Sequence, residues 1–172
     1  MNTPLIICMG VSGCGKTTCA RAIAETLGLE YVEADEFHPQ NNKRKMIAGI
    51  PLTDEDREPW MRAICDYLIC AAFNFQGCVL SHSALKSKHR DMLRETGHQV
   101  VFVHLAADKD TIAKRLGTRK DHFMPLSLLE SQFAAFESVE RESDVIKVDA
   151  AQGSSAVATD ALSAIEQFYN RN

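Results

Sequence analysis

The stretch Leu5-Ile-Ile-Cys-Met-Gly10-Val-Ser-Gly-Cys-Gly-Lys-Thr17 decides the fold. Leu5 to Met9 is an unbroken apolar run, the pattern of a strand buried on both faces as in a parallel sheet. Gly10 to Thr17 fits G-x-x-x-x-G-K-[ST], and a helical pattern follows from Lys16 to Leu27, stopped by Gly28. A strand, a glycine-rich turn and a helix in that order form the context in which this motif binds phosphate. Glycine lets successive N–H groups turn toward phosphate oxygens at the positive end of the helix that follows. Gly10, Val11, Ser12, Gly13, Cys14, Gly15, Lys16 and Thr17 therefore form a candidate cradle for ATP or GTP. In it Lys16 reaches the β- and γ-phosphates and the Thr17 hydroxyl ligates Mg²⁺.

Beyond this stretch, apolar runs alternate with helical patterns, which predicts an α/β fold with a parallel sheet and crossover helices. Further strands are expected at Tyr31 to Glu33, Cys78 to Ser81, Val100 to Leu105 and Val145 to Val148. Asp35 to Leu52 carries two prolines and a glycine around one helical stretch, Asn41 to Ala48, and reads as an ordered excursion from the core. Thr53 with Asp56 three residues on resembles a capping box and starts a long helix to about Asn74. Shorter helices are expected at Ser87 to Glu95, Lys109 to Leu116, Pro125 to Phe136 and Val157 to Tyr169. At 172 residues, with no repeat or polar linker, the chain is expected to form a single domain over 1–172.

A formal charge of −4 argues against a general nucleic-acid binder, which needs clustered cations to release counterions. No stretch approaches the ~20 apolar residues of a membrane span, and Met1 to Pro4 lacks the features of a signal peptide. A cytoplasmic protein without membrane or nucleic-acid partners is expected. The six cysteines show no C-x-x-C pair and no histidine at zinc-finger spacing, so reduced thiols are expected.

Motors, switches and kinases share the phosphate loop. No guanine-reading N/T-K-x-D string occurs, and the strand Cys78 to Ser81 lacks a terminal Asp for a metal. A small kinase with a second substrate pocket fits better. Asp35 follows the second strand, at the sheet edge where open α/β proteins bind ligands, and can accept a hydrogen bond from an attacking hydroxyl. Arg57 and Lys86 supply charge for a carboxylate, which Arg can hold through two parallel hydrogen bonds. His38 and Gln132 can bond hydroxyls or serve the structure, and Trp60 reads as core. The segment Arg115-Leu-Gly-Thr-Arg-Lys-Asp-His-Phe-Met-Pro125 joins two helices and is rich in cations, as expected of a lid at about 117–126 that brings Arg119 and Arg115 to the phosphates.

Several strings together resemble the gluconate kinase family: Gly10 to Thr17, Ala34-Asp-Glu-Phe-His-Pro39, Pro51-Leu-Thr-Asp-Glu-Asp-Arg-Glu-Pro-Trp60, Ser83-Ala-Leu-Lys86 and His122-Phe-Met-Pro125. The resemblance spans about residues 5 to 150. It departs at His82, where Cys is usual, at Phe136 and at Ser138. It implies the fold of shikimate and nucleoside monophosphate kinases, a five-stranded parallel sheet with a helical substrate region and a lid. It also implies ATP and Mg²⁺ as cofactors, D-gluconate as substrate, a cytoplasmic homodimer, and Lys16, Asp35 and Arg119 as catalytic residues. Shikimate or another small hydroxy acid is the alternative acceptor. Since a lid cation meets the phosphoryl group chiefly in the transition state, Arg119→Ala should lower kcat sharply at little change in ATP affinity. Steady-state kinetics with ATP varied check this, and an unchanged kcat returns the loop to plain surface.

Overall fold

A computed structural model describes residues 3–117 and 126–171. The apolar run at the start forms β1 (Pro4–Met9), fully buried from Leu5 to Met9. The helix α1 (Lys16–Leu27) follows, ended by Gly28 in the left-handed conformation. Next come β2 (Glu30–Glu33), a 3₁₀ turn (Ala34–Phe37), α2 (Gln40–Ile47) and the long α3 (Asp54–Phe73). The remaining elements are β3 (Cys78–Ser81), α4 (Ser87–Arg94), β4 (Gln99–Ala106), α5 (Lys109–Gly117), α6 (Leu126–Ala135), β5 (Val145–Asp149) and α7 (Ser154–Arg171).

The five strands form one sheet in the order β2-β3-β1-β4-β5, and every neighbouring pair is parallel. Strand alternation divides β1 between two cores. Ile6 and Cys8 pack with Ile23 of α1 and with Val157 and Ile165 of α7. Leu5, Ile7 and Met9 pack with Trp60, Met61, Ile64 and Leu68 of α3. β1 is central, and the chain leaves it for β2 on one side and reaches β4 on the other, so its carboxyl end lies at the switch point where a parallel sheet opens a crevice.

The capping box of α3 is present: the Thr53 hydroxyl accepts from Asp56 N–H at 3.2 Å, and Asp56 Oδ2 accepts from Thr53 N–H at 2.9 Å. Lys45 Nζ donates to both Asp56 carboxylate oxygens, at 2.7 and 2.8 Å, and so ties α2 to the start of α3. Elements expected from sequence occur with ends shifted by up to three residues. The 3₁₀ turn was not expected, and α7 begins at Ser154, three residues before the expected Val157, because a polar first turn gives no apolar period to read.

Arg90, wholly buried, joins α4 to the loop before β5. Its Nε donates to Glu142 Oε1 and Oε2 at 3.0 and 2.9 Å, and its terminal nitrogens donate to Glu142 and to the carbonyls of Ala84, Leu85 and Glu137. The guanidinium thus has an acceptor in every direction, as a buried charge requires. Arg90→Ala would leave Glu142 and three carbonyls without this donor. A loss of about 3–5 kcal/mol is expected in urea unfolding, and a loss under 1 kcal/mol would show that the pair is dispensable.

Candidate active site

The phosphate loop connects β1 to α1. Gly10 has φ 142°, and a Cβ there would lie 2.9 Å from both Cys14 Sγ and Leu105 O, so only glycine fits. Gly15 (φ 101°) starts α1 in the left-handed region, with open space where a Cβ would be. The first N–H groups of α1 follow directly and have no partner within the helix. Gly10 N–H donates to Ser83 O at 3.2 Å and His82 N–H donates to Cys8 O at 3.1 Å, so the segment after β3 holds the start of the loop. Ser83 precedes Ala84, a buried residue at φ 45° whose carbonyl is bonded by Arg90 at 2.8 Å.

Lys16 Nζ donates to the loop's own Val11 carbonyl at 3.0 Å. The Thr17 hydroxyl donates to Glu33 Oε2 at 2.9 Å and lies 3.5 Å from Ser81 Oγ, while Tyr31 OH donates to the same Glu33 oxygen. Glu33 and Ser81 end β2 and β3 and are register partners. Desolvation and the Glu33 carboxylate push the Tyr31 phenol up to about 12. Gln132 is tied to the phosphate loop, its Oε1 accepting from Ser12 N–H at 2.6 Å. On the outer side of the loop a cavity of about 300 Å³ is lined by Gly13, Gly15, Thr18, Arg115, Gln152 and Ser154. Arg115 reaches across to the carbonyls of Ala151 and Gln152, at 3.1 and 2.9 Å. A larger, mainly apolar groove of about 720 Å³ lies at the opposite edge of the sheet, between Leu27 and Tyr169 and beside Pro4, away from this chemistry.

The other side of the crevice is built on α3. Trp60 is buried and donates from Nε1 to Ala34 O at 2.7 Å. Its indole is stacked between His38 (4.3 Å, 12°) and His82 (4.7 Å, 8°), with His89 edge-on at 6.3 Å. His82 Nδ1 accepts from Ala84 N–H at 2.8 Å, which puts the proton on Nε2, facing Met61 Sδ at 3.2 Å. His38 Nδ1 faces the Asn42 amide NH₂ at 3.3 Å, so its Nε2 carries the proton and points at Asp35 Oδ1, 3.9 Å away. Asp35, in the 3₁₀ turn after β2, has a side chain 80% exposed. Arg57 and Lys86 meet at the carboxylate of Asp54, at 3.5 and 2.6 Å, and Lys88 joins them at 2.8 Å.

The structure therefore groups Asp35 with His38 and groups Arg57 with Lys86, while Gln132 and Arg115 belong to the phosphate loop and its outer cavity. Arg119 and most of the expected lid lie outside the described residues. Sequence reading missed Glu33 and Ser81 beside Thr17, and Asp54 and Lys88 beside Arg57. Glu33 and Ser81 could have been found as polar residues at the carboxyl ends of two parallel strands.

Burial dominates the histidine chemistry. It pushes His38 and His89 down to about 4 and His82 to about 3, with nearby cations adding to the effect. An unfolded chain takes up these protons near 6.5, whereas the folded protein resists until about 4. In that window the unfolded state binds more protons, so stability falls as pH falls. The Tm should drop steadily from pH 6.5 to 4, and His89→Leu should flatten the slope. A flat Tm across this window in the parent protein would contradict the neutral stack.

A glycine-rich loop after β1, a carboxylate after β2 and a group of cations at the segment after β3 share one sheet edge, the layout of a small-molecule kinase, and comparison with known proteins gives the same answer. The shikimate kinase family model matches residues 12–166. The chain is 43% identical over 143 residues to a gluconokinase of Gluconobacter oxydans (strain 621H), covering 83% of this chain and 80% of that protein. It superimposes on the crystal structure of a gluconokinase from Sinorhizobium meliloti 1021 with a TM-score of 0.87, 39% identity and 98% coverage of both chains. Shikimate kinase from Aquifex aeolicus vf5 shares the fold, with a TM-score of 0.63 at 14% identity over 95% of this chain and 96% of that one. The match in sequence and structure over nearly the whole length places the chain in the gluconokinase family of P-loop kinases.

Proposed function

We propose that the protein transfers the γ-phosphoryl group of ATP to the terminal hydroxyl of D-gluconate, giving 6-phosphogluconate and ADP. The observation that carries this reading is the common sheet edge shared by the phosphate loop, Asp35 and the cations Arg57 and Lys86. The gluconokinase relatives support the choice of acid.

The residues fit the groups this reaction needs. The open space at Gly15 admits phosphate against the backbone. Around Thr17 the donors are oxygens only, from Thr17, Glu33 and Ser81, the chemistry preferred by Mg²⁺. Among the described residues no cluster of three His, Cys, Asp or Glu could hold a metal alone, which suits a Mg²⁺ bound largely through substrate phosphates. Bound there, the ion would neutralise charge on the transferring group. The cavity between Arg115 and Gln152 suits the nucleoside, beside the loop that takes its phosphates.

In the reaction the gluconate hydroxyl oxygen bonds to the γ-phosphorus as the bond to the β–γ bridging oxygen breaks. Asp35 orients the hydroxyl and receives its proton. His38, neutral and held by Asn42 and Trp60, presents its Nε2–H toward the Asp35 carboxylate from 3.9 Å. Lys16 leaves the Val11 carbonyl for the phosphates, and Arg57 and Lys86 take the substrate carboxylate. The transition state is loose, so positioning and charge neutralisation do most of the work. The reading further takes the chain as a single domain acting as a cytoplasmic homodimer. No helix among the described residues is long and apolar enough to cross a membrane.

A coupled ADP-release assay with gluconate, shikimate, other aldonic acids and nucleoside monophosphates tests the substrate. Turnover with another compound and none with gluconate would overturn the assignment. Asp35→Asn keeps the shape and removes the charge, so kcat should fall about 10²–10⁴-fold, nearer the low end, with ATP binding and Tm close to wild type. Wild-type kcat in this variant would remove Asp35 from the catalytic set.

A further inference from the structure

Two elements deliver cations to one point. Arg57 comes from the first turn of α3, and Lys86 and Lys88 come from the start of α4. Lys86 Nζ lies 2.6 Å from Asp54 Oδ1, Lys88 Nζ lies 2.8 Å from Oδ2, and Arg57 Nη1 stands 3.5 Å from Oδ1. Each oxygen of the Asp54 carboxylate thus has an ammonium, with a guanidinium at the side. The same arrangement would bind the carboxylate of a sugar acid. The Lys86 and Lys88 bonds hold the Asp54 carboxyl well below the usual carboxylate range, so its charge persists at any working pH.

Asp54 suits the positive end of α3, whose first turn carries three acidic residues, but neither helix cap uses its side chain. The start of α3 is capped by Thr53 and Asp56, and the start of α4 is served by Glu137, whose Oε2 accepts from Ser87 N–H at 2.7 Å. The Asp54 side chain is 43% exposed, within reach of solutes entering the crevice. Three cations meet this carboxylate on a helix N-terminus that adds further positive potential, and Glu137, which feels Lys86, is a further carboxylate beside the start of α4. Of the other groups nearby, Glu55 flanks Asp54 in sequence, and His89, which feels Lys88, Arg57, Lys86 and Asp54, is neutral.

We propose that Asp54 occupies, in the free protein, the place taken by the substrate's carboxylate, and that Lys88 is the third cation of that place. This inference rests on the sugar-acid reading above. Whether the incoming carboxylate displaces Asp54 or settles beside it, it must part or oppose an existing ion pair. Asp54 therefore lowers the affinity of the site for its own substrate and lets the product's carboxylate leave by the reverse exchange. A neutral polyol has no group to exchange and gains nothing from the three cations.

The test is steady-state kinetics on the full chain with gluconate and ATP varied in turn. Asp54→Asn keeps the side-chain shape and should lower the KM for gluconate about two- to fivefold, the range expected for a partly exposed ion pair, leaving the KM for ATP unchanged. Lys88→Met should raise the KM for gluconate by a similar factor, again without effect on ATP. Raising the salt concentration should narrow both differences. An unchanged or higher gluconate KM in a folded Asp54→Asn protein overturns the exchange. Should that variant fail to fold, Lys88→Met decides alone, and an unmoved gluconate KM there overturns it equally. Failure of the sugar-acid reading itself is separate, because it appears as absence of gluconate turnover in the parent protein. The same comparison then applies to whichever acid the substrate panel identifies, and equal KM values for parent and variants with that acid overturn the inference.

Discussion

The backbone can pass from β1 into α1 only because residue 10 has no side chain. A Cβ at Gly10 would strike the Leu105 carbonyl of β4 and the Cys14 sulfur at 2.9 Å, and backbone cannot yield there without opening the sheet. This close approach lets Gly10 N–H reach Ser83 O, which in turn fixes the segment after β3 against the loop. Ala84 then takes a left-handed conformation that a residue with a Cβ adopts at some cost, offset by the buried Arg90 at its carbonyl. The chain from Gly10 through Ser83 and Ala84 to Arg90 joins the phosphate cradle to the start of α4, where Lys86 stands. The glycine-rich loop and the start of α4 are therefore set by one continuous set of contacts.

Where the sequence was legible, one local pattern sufficed. The strands β1, β3 and β4 are apolar runs buried in the sheet, and α3 announces its start through Thr53 and Asp56. β2 was read one residue short because it is an edge strand with a glutamate at each end, and its polar start gives no apolar signal. The 3₁₀ turn Ala34–Phe37 is four residues long, too short for any period to appear. Within the candidate site, the placement of Asp35 and of the glycine-rich loop at the carboxyl edge of the sheet was legible because each follows a strand directly. The meeting of Thr17 with Glu33 and Ser81 was not, because it depends on the order of strands in the sheet. Nor was the bond from Ser12 to Gln132, which joins residues 120 positions apart.

The two halves of the crevice handle charge in different ways. Asp54 stays charged, held so by the Lys86 and Lys88 ammonium groups. Around Trp60 the titratable groups give up charge, because burial between an indole and the α3 core disfavours the imidazolium. Neutral rings can stack face to face on Trp60 without mutual repulsion, and they leave His38 with a hydrogen to offer and no charge to offer with it.

That distinction bears on Asp35. A protonated His38 at 3.9 Å would draw the carboxylate into an ion pair. A neutral His38 directs its Nε2–H toward the same carboxylate without that pairing. The ring is kept neutral by its burial against Trp60, with Lys43 and Arg57 adding repulsion, and its tautomer is set by Asn42. Asn42 itself is fixed by the Asp56 carbonyl at 2.7 Å, and Asp56 is the residue that caps α3. The capping box visible in the sequence thus extends through two hydrogen bonds of Asn42, to the Asp56 carbonyl and to the His38 ring, whose Nε2 lies 3.9 Å from Asp35. The start of one helix is in this way both a folding signal and the anchor of the His38 ring.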